Sequence, residues 1–258
     1  IGMATWKDVL NGERFFANTQ KTQSIKNGAS YSDLQRDIDL VVFSSSFRRM
    51  QRKAQVYIAP KSDFVRNRLT HTLEVSAFSR LLSGLILEKL EADDKDFRAA
   101  KKEKRFSNGR KLSKRDIVDG ISAACHAHDI VNPPFGHVGE FAIRSWFKEK
   151  TKDIRTEETH SELNAILKNK NILWDFRHFD GNPQGFRILT RLEGWRDRGG
   201  LRLTHLTLAS FVKYPRGSNK KTNKFGYFGS EKEYFHSLFE EMKLCKHYKN
   251  NKNDIVIS

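Results

Sequence analysis

Cysteine is scarce in this chain. Two in 258 residues, Cys125 and Cys245, are too few for a disulfide framework or a thiolate metal centre. A reducing compartment suits that usage, and a cytoplasmic location is the expectation. Long apolar runs are missing too: no segment has the length of a membrane span, the first residues hold no signal-peptide core, and no membrane partner is expected. The chain opens Ile1-Gly2-Met3, which reads as a native start at Met3 behind a short leftover, or as a piece of a longer protein. Acidic residues are outnumbered, 31 Asp and Glu against 47 Lys and Arg, leaving a net charge of +16. Such a surplus favours anionic partners, meaning nucleotides, nucleic acid or an acidic protein surface, without choosing among them. Period-two alternation of apolar residues is nearly absent, which argues against an all-β fold. Apolar content is low at 38%, yet 19 Phe and 4 Trp supply core material that a disordered chain lacks.

What is present reads as mostly α. Residues 1–35 form an N-terminal arm with a short docking helix carrying Trp6, Leu10 and Arg14, and residues 36–258 form the main domain. Leu40, Phe43, Phe47 and Met50 recur at helical period between Asp33 and Gln55. The strongest helical pattern runs from His71 to Glu91, with Thr70 as its N-cap and Phe78, Leu81, Leu82, Leu85 and Ile86 as its apolar stripe. Residues 98–115 hold nine basic residues against one acidic and read as a solvated loop. Asp116 to Ile130 reads as a helix that points His128 toward the core and His126 away. Asn132-Pro133-Pro134 ends it, because proline has no N–H and restrains the residue before it. A new helix near Gly136 then sets His137 and Glu140 on a shared face. Helices are also expected over Glu157–Lys168, Gln184–Leu192 and Glu231–Leu244, with an apolar stretch from Leu201 to Val212 and a Gly- and Lys-rich loop from Tyr214 to Gly229.

The chemistry concentrates between His126 and Glu140. An adjacent His128-Asp129 pair offers nitrogen and oxygen to one divalent ion, a donor set for Mg, Mn or another transition metal rather than a thiolate-seeking one. His137 and Glu140 are residue types that move protons around a metal-bound water. Singly, each has a plainer reading: His71 as a helix cap, His128 as a hydrogen-bonded core histidine. An Asp beside His128 on an apolar helix shifts that balance, since a buried carboxylate without a cation is costly.

Six pieces of the chain, in order, resemble the HD-domain deoxynucleoside triphosphate triphosphohydrolases, the dGTPase-like enzymes. They are Trp6 to Arg14, Arg36 to Val56, Arg68 to Val75, His128 to Glu140, Gly181 to Arg191, and Gly200 to Ser210 with Lys213-Tyr214-Pro215. The resemblance implies a mostly α, HD-domain helical fold that hydrolyses a dNTP to deoxynucleoside and triphosphate. It implies metal ligation by His71, His128 and Asp129, and catalytic roles for His137 and Glu140. It implies that Gln55 reads the deoxyribose, and that Arg68, Asn182, Lys213 and Tyr214 lie near sugar or phosphate. A divalent metal cofactor and a homo-oligomer also follow from it.

The chain departs from the family pattern at Leu40, Ala54 and Val131. It also lacks the family's later Asp-bearing segment, the source of a fourth ligand, since Asp254 lies in a polar tail. The HD-type domain is therefore expected to be incomplete at its C-terminal side, with dNTP hydrolysis by this chain alone near background. Apolar faces over Leu201–Val212 or Phe235–Leu244 are expected to stay partly exposed. Two other readings stay open: an HD phosphohydrolase acting on another nucleotide, and a non-catalytic basic fragment that binds nucleotide or nucleic acid.

Overall fold

The computed structural model describes residues 4–15, 32–57, 62, 64–104, 106, 109–151, 170–194, 199–219, 223–246 and 256–257. The helix expected over Glu157–Lys168 lies outside them. The described chain is mostly helical. In order come α1 (Trp6–Val9), α2 (Asp33–Val42), α3 (Ser45–Arg49), α4 (Arg68–Asp93), α5 (Lys95–Glu103), α6 (Lys114–Ala127), α7 (His137–Lys150), α8 (Lys170–Arg177), α9 (Gly181–Arg187), α10 (His205–Phe211) and α11 (Lys232–Glu241). Two short strands, β1 (Cys245–Lys246) and β2 (Val256–Ile257), pair antiparallel. No described helix is long and apolar enough to cross a membrane.

Helix α6 is the centre, packed against α2, α4 and α10. Its sequence permits this because Gly120, Ser122, Ala123, Ala124 and Ala127 are small and let three neighbours approach. Gly120 is the tightest point: a Cβ there would lie 2.7 Å from Leu34 Cδ2 and 3.2 Å from a Leu206 methyl. The helix is buried on several faces, so Asp116 and Asp119 are also largely covered. Ser113 caps its start by accepting from Asp116 N, while the Asp116 carboxylate accepts from Ser113 N at 2.8 Å.

Helix α4 is capped three residues earlier than expected, at Asn67 rather than Thr70. Asn67 leaves helical geometry and accepts from Thr70 N at 2.9 Å, and the Thr70 hydroxyl accepts from Asn67 N at 3.1 Å. Thr70 thus closes a capping box from inside the helix, and Arg68 and His71 both ride on the first turns. The face of α4 turned to α6 is the small and polar one: Arg68, Thr72, Ser76, Ser83 and Leu87 are buried. Ser76 Oγ lies 2.7 Å from Ser122 Oγ and 3.0 Å from His126 Nδ1, so the buried hydroxyls are paired. The apolar stripe of α4 consequently faces outward, opposite to the expectation from its hydrophobicity. Close helix approach needs small residues at the contact, and here they are serines and alanines rather than leucines.

A large core gathers Phe47, Met50, Ile130, Phe186, Leu203, Leu208, Phe235, Leu238 and Met242, and a smaller one gathers Leu34, Leu87, Phe97, Phe106 and Ile117. Each such side chain contributes about 1.5–3 kcal/mol on burial. The stretches expected to stay exposed, Leu201–Val212 and Phe235–Leu244, are instead largely built into the large core. Residues 98–115 are also not simply a loop, since α5 continues to Glu103. Phe97 and Ala100 anchor that helix in the smaller core.

The N-terminal residues dock by hydrogen bonds rather than by a long helix. Among the described residues up to Phe15 one turn is helical, and Arg14 lies beyond it. Its guanidinium donates to Asp33 at 2.9 Å, to Asp37 at 3.1 Å and to the Arg202 carbonyl at 2.8 Å. Asp37 is fully buried; burial pushes its pKa up, against the pull of Arg14 and the hydrogen bonds from Thr204.

Candidate metal centre

Three elements converge on one point. His71 comes from the start of α4, His128 caps the end of α6, and Asp129 follows in the turn. One ligand atom from each lies within 4.8 Å of the others. The two imidazole centroids are 5.5 Å apart, and His128 Nε2 is 3.7 Å from Asp129 Oδ2. His128 Nδ1 lies 2.7 Å from the Cys125 carbonyl. That carbonyl can only accept, so Nδ1 carries the proton and the Nε2 lone pair is left for a ligand.

The assignment of faces on α6 is reversed from the sequence expectation. His126 is the buried histidine, with Nδ1 2.8 Å from the Ser122 carbonyl, and burial lowers its pKa. His128 is exposed. The helix ends at Ala127, so His128 sits in the departing turn, where a helical wheel no longer applies.

Asp129 is already paired. Arg68 Nη1 lies 2.7 Å from its Oδ2, and Asn132 Nδ2 contacts its Oδ1. Lys53 stands nearby, with Nζ 3.4 Å from the Ile130 carbonyl, and burial followed by repulsion from Arg68 lowers its pKa. The segment bearing Gln55 runs along the start of α4, where Arg68 N donates to Lys53 O at 3.0 Å and Ala54 bridges Asn67. Gln55 Oε1 and Arg68 Nε are buried without a hydrogen-bond partner among the described residues. Unsatisfied buried polar atoms of this kind cost free energy unless a ligand completes them.

The Pro133-Pro134 turn leads into two successive residues with positive φ, Phe135 at 64° and Gly136 at 57°. A side chain on Gly136 would also collide with the Arg68 guanidinium. The turn starts α7 at His137. His137 Nδ1 is 3.0 Å from Glu140 Oε2, and the His137 side chain is 83% exposed. Glu140 is 1% exposed and doubly held: its Oε1 accepts from Gly181 N at 2.9 Å, and Arg144 Nη1 stands 3.8 Å from Oε2. A Cβ on Gly181 would sit 3.0 Å from Asn132 Oδ1 and 3.0 Å from Glu140 Oε1. Asn132, which contacts Asp129 of the His-Asp cluster, and Glu140 therefore flank a single glycine.

A cationic edge extends beyond Gly181. Asp180 is fully buried and accepts from Asn182 N at 2.9 Å, from the Asn182 side chain, and from Lys224 Nζ at 2.7 Å. Lys213 and Lys224 reach the Tyr214 ring at 5.5 Å and 6.0 Å from its centroid. Burial pulls the Lys224 pKa down, but Asp180, with help from Glu140, more than offsets this and the net shift is upward. The sequence reading missed Lys224, which lies in a stretch read only as loop. Its signal was the run Lys224-Phe225-Gly226-Tyr227, whose aromatics are buried and so fix the lysine in place.

Two imidazoles and a carboxylate fit a borderline divalent ion, and three protein ligands leave coordination positions open to water or substrate. Arg68, Lys53 and Lys224 beside them suit an anion with several charges. No family model matches the chain. Among curated proteins, it is 36% identical over 250 residues to a deoxyguanosinetriphosphate triphosphohydrolase-like protein of Synechocystis sp., covering 93% of this chain and 51% of that protein. It is 34% identical over 259 residues to a protein of the same name from Listeria monocytogenes, covering 97% of this chain and 51% of that protein. A Yersinia enterocolitica protein named deoxyguanosinetriphosphate triphosphohydrolase is 32% identical over 231 residues, covering 79% of this chain and 42% of its own length. The chain thus spans about half the length of the curated relatives it matches.

Proposed function

We propose a function on the premise that this chain belongs to the deoxyguanosinetriphosphate triphosphohydrolase-like family: metal-dependent hydrolysis of a dNTP to deoxynucleoside and triphosphate. The observation that carries this reading is the meeting of His71, His128 and Asp129 beside the His137–Glu140 pair. His71, His128 and Asp129 would hold the ion. When bound, a divalent ion supplies Lewis-acid polarisation of a phosphoryl oxygen and a more acidic water.

The remaining roles belong to the chain itself. Lys213 and Lys224 bind the triphosphate as point charges and Arg68, once displaced from Asp129, by its forked donors, with Tyr214 packing against the two lysines and Asn182 beside Asp180. Gln55 Oε1, a buried acceptor, takes a sugar hydroxyl. Glu140, anchored by Gly181 N, keeps the proton of His137 on Nδ1, so Nε2 is the atom that exchanges protons at the reacting centre. Water adds to the α-phosphorus, the bond from that phosphorus to the 5′-oxygen breaks, His137 delivers a proton to the departing 5′-oxygen, and the proton lost by the attacking water passes to solvent, which reprotonates His137. A homo-oligomer and a cytoplasmic location remain part of the proposal.

Incubation with each dNTP and Mn or Mg, followed by chromatography, tests the reading. Deoxynucleoside with intact triphosphate supports it. Release of monophosphate or diphosphate would move the site to another phosphohydrolase reaction, and absence of both nucleotide binding and turnover would reject it. The net charge of +16 supports a second reading, binding of nucleic acid through the basic surface, which a salt-dependent shift of single-stranded DNA would reveal.

A further inference from the structure

Two buried aspartates on one segment grip a single stretch of chain. Asp175, near the end of α8, is 6% exposed, and Asp180, just before α9, is fully buried. Asp180 accepts from Lys224 Nζ at 2.7 Å. Asp175 holds the same stretch on either side of that lysine. Its Oδ1 accepts from Ser218 Oγ at 2.6 Å, and its Oδ2 accepts from Gly229 N at 2.7 Å.

Residues 214–219 and 223–229 are also stitched to each other. Gly226 N donates to Arg216 O at 2.8 Å, Arg216 Nε donates to Lys224 O at 2.9 Å, and Gly217 bridges Tyr227. The approach is close, for a Cβ on Gly226 would lie 2.2 Å from the Tyr214 carbonyl oxygen. Phe225 and Phe228 are buried on either side of Gly226. A displacement at either pin therefore reaches Lys224 through main chain. A buried carboxylate is costly, and an apolar residue would fill the space of Asp175 more cheaply. Arg187 favours its charge, whereas Glu231 opposes it. What the carboxylate adds is direction: two oxygens aimed at two donors fix the register of a stretch that apolar packing alone would leave free to slide.

We propose that Asp175 is a positioning residue for Lys224: by holding Ser218 and Gly229, it keeps the Lys224 ammonium between Asp180 and the Tyr214 ring, ready for a polyphosphate. Asp175 acts through Lys224 and does not itself touch the anion. The bearing on polyphosphate rests on the role given to Lys224 above, whereas the mechanical link between the two residues stands on the contacts alone.

The test reads two quantities on the chain: affinity for inorganic tripolyphosphate by calorimetry, and the acetylation rate of Lys224 in the ligand-free protein by peptide mass. Asp175→Leu should weaken tripolyphosphate binding several-fold and speed acetylation of Lys224 several-fold relative to the other lysines. Asp175→Asn should stay near the parent protein in both, because its amide oxygen can accept from Gly229 N while its NH2 donates to the Ser218 hydroxyl. In a Lys224→Met background, Asp175→Leu should weaken binding no further, the signature of two residues acting as one. Ser218→Ala removes a single pin, should shift both readouts in the same direction by less, and carries the test if Asp175→Leu does not fold. Unchanged Lys224 acetylation in the folded variants would overturn the proposal. So would a loss of tripolyphosphate affinity that is equally large with and without Lys224, since Asp175 would then act on the fold at large. Faster acetylation of Lys224 in a chain that never binds tripolyphosphate would instead reject the phosphate role of the lysine and leave the positioning contact standing.

Discussion

Arg68 holds Asp129. The guanidinium Nη1 lies 2.7 Å from the carboxylate Oδ2, in a pair that is only 10% and 14% exposed. The oxygen a metal would use is thus already compensated by a cation. An arriving ion must either share Asp129 with Arg68 or displace it, and a displaced Arg68 would be available to phosphate.

The first prediction follows from that competition. Arg68→Met is expected to tighten Mn binding by about tenfold or more, because one positive charge leaves a partly desolvated site. Nucleotide affinity should weaken in the same variant, and the metal-free protein should melt at lower temperature, since Asp129 loses its partner. Calorimetric titration with Mn measures the first effect, and an unchanged or weaker Mn affinity would show that Arg68 does not compete.

The second concerns His137. In a full-length form of the protein, its removal should lower turnover by about a hundredfold or more, the scale of general acid–base contributions. Metal binding by His137→Ala should be unchanged, because Nδ1 is turned to Glu140 and the ring is outside the three-ligand cluster. Loss of bound metal in that variant would make His137 a ligand instead.

Asp175 gives a pH-dependent prediction away from the site. Burial is the main cause that raises its pKa to about 6, against hydrogen bonds from Ser218 Oγ at 2.6 Å and Gly229 N at 2.7 Å. The folded protein therefore holds this proton at pH values where the unfolded chain, near an ordinary aspartate, has released it. Stability should fall as pH rises from about 4 to about 6 and then level off with respect to this group. Asp175→Asn should remove that component of the slope in denaturant titrations made across the window.

Gly120→Ala tests the packing of α6. The added methyl meets Leu34 and Leu206 at less than a normal contact distance. A loss of about 1–3 kcal/mol is expected, as for other overpacked cores, measurable as a lower midpoint of thermal unfolding. A neutral result would mean that α2 and α10 can retreat without cost.

Much of the site was legible as a motif, and less of it as geometry. His128, Asp129, His137 and Glu140 stand close in sequence, and the turn after Pro133 brings them near one another in space. His71 lies 57 residues before His128 and joined them only through the family resemblance. The face of α6 could not be read because that helix is covered on several sides, so hydrophobic periodicity carries little directional information there. The α4 stripe misled for a related reason. Its buried contacts are made by serines, an alanine-rich neighbour and a paired histidine, and such a face looks polar in sequence. Leu201–Val212 and Phe235–Leu244 were expected to stay partly exposed on the assumption that absent helices would cover them, whereas they share the large core with Phe186 and Leu189.

Gly181 is the narrowest point between the two halves of the site, with Asn132 on one side and Glu140 on the other. Its place is filled by a hydrogen atom, so only a bare main chain separates Glu140 from the Asn132 amide that contacts Asp129. The same main chain supplies the N–H that holds Glu140 Oε1, so Gly181 both anchors that carboxylate and keeps its neighbour close. Any side chain at this position would act as a shim, prising Asn132 and Glu140 apart while leaving both residues in the sequence unchanged.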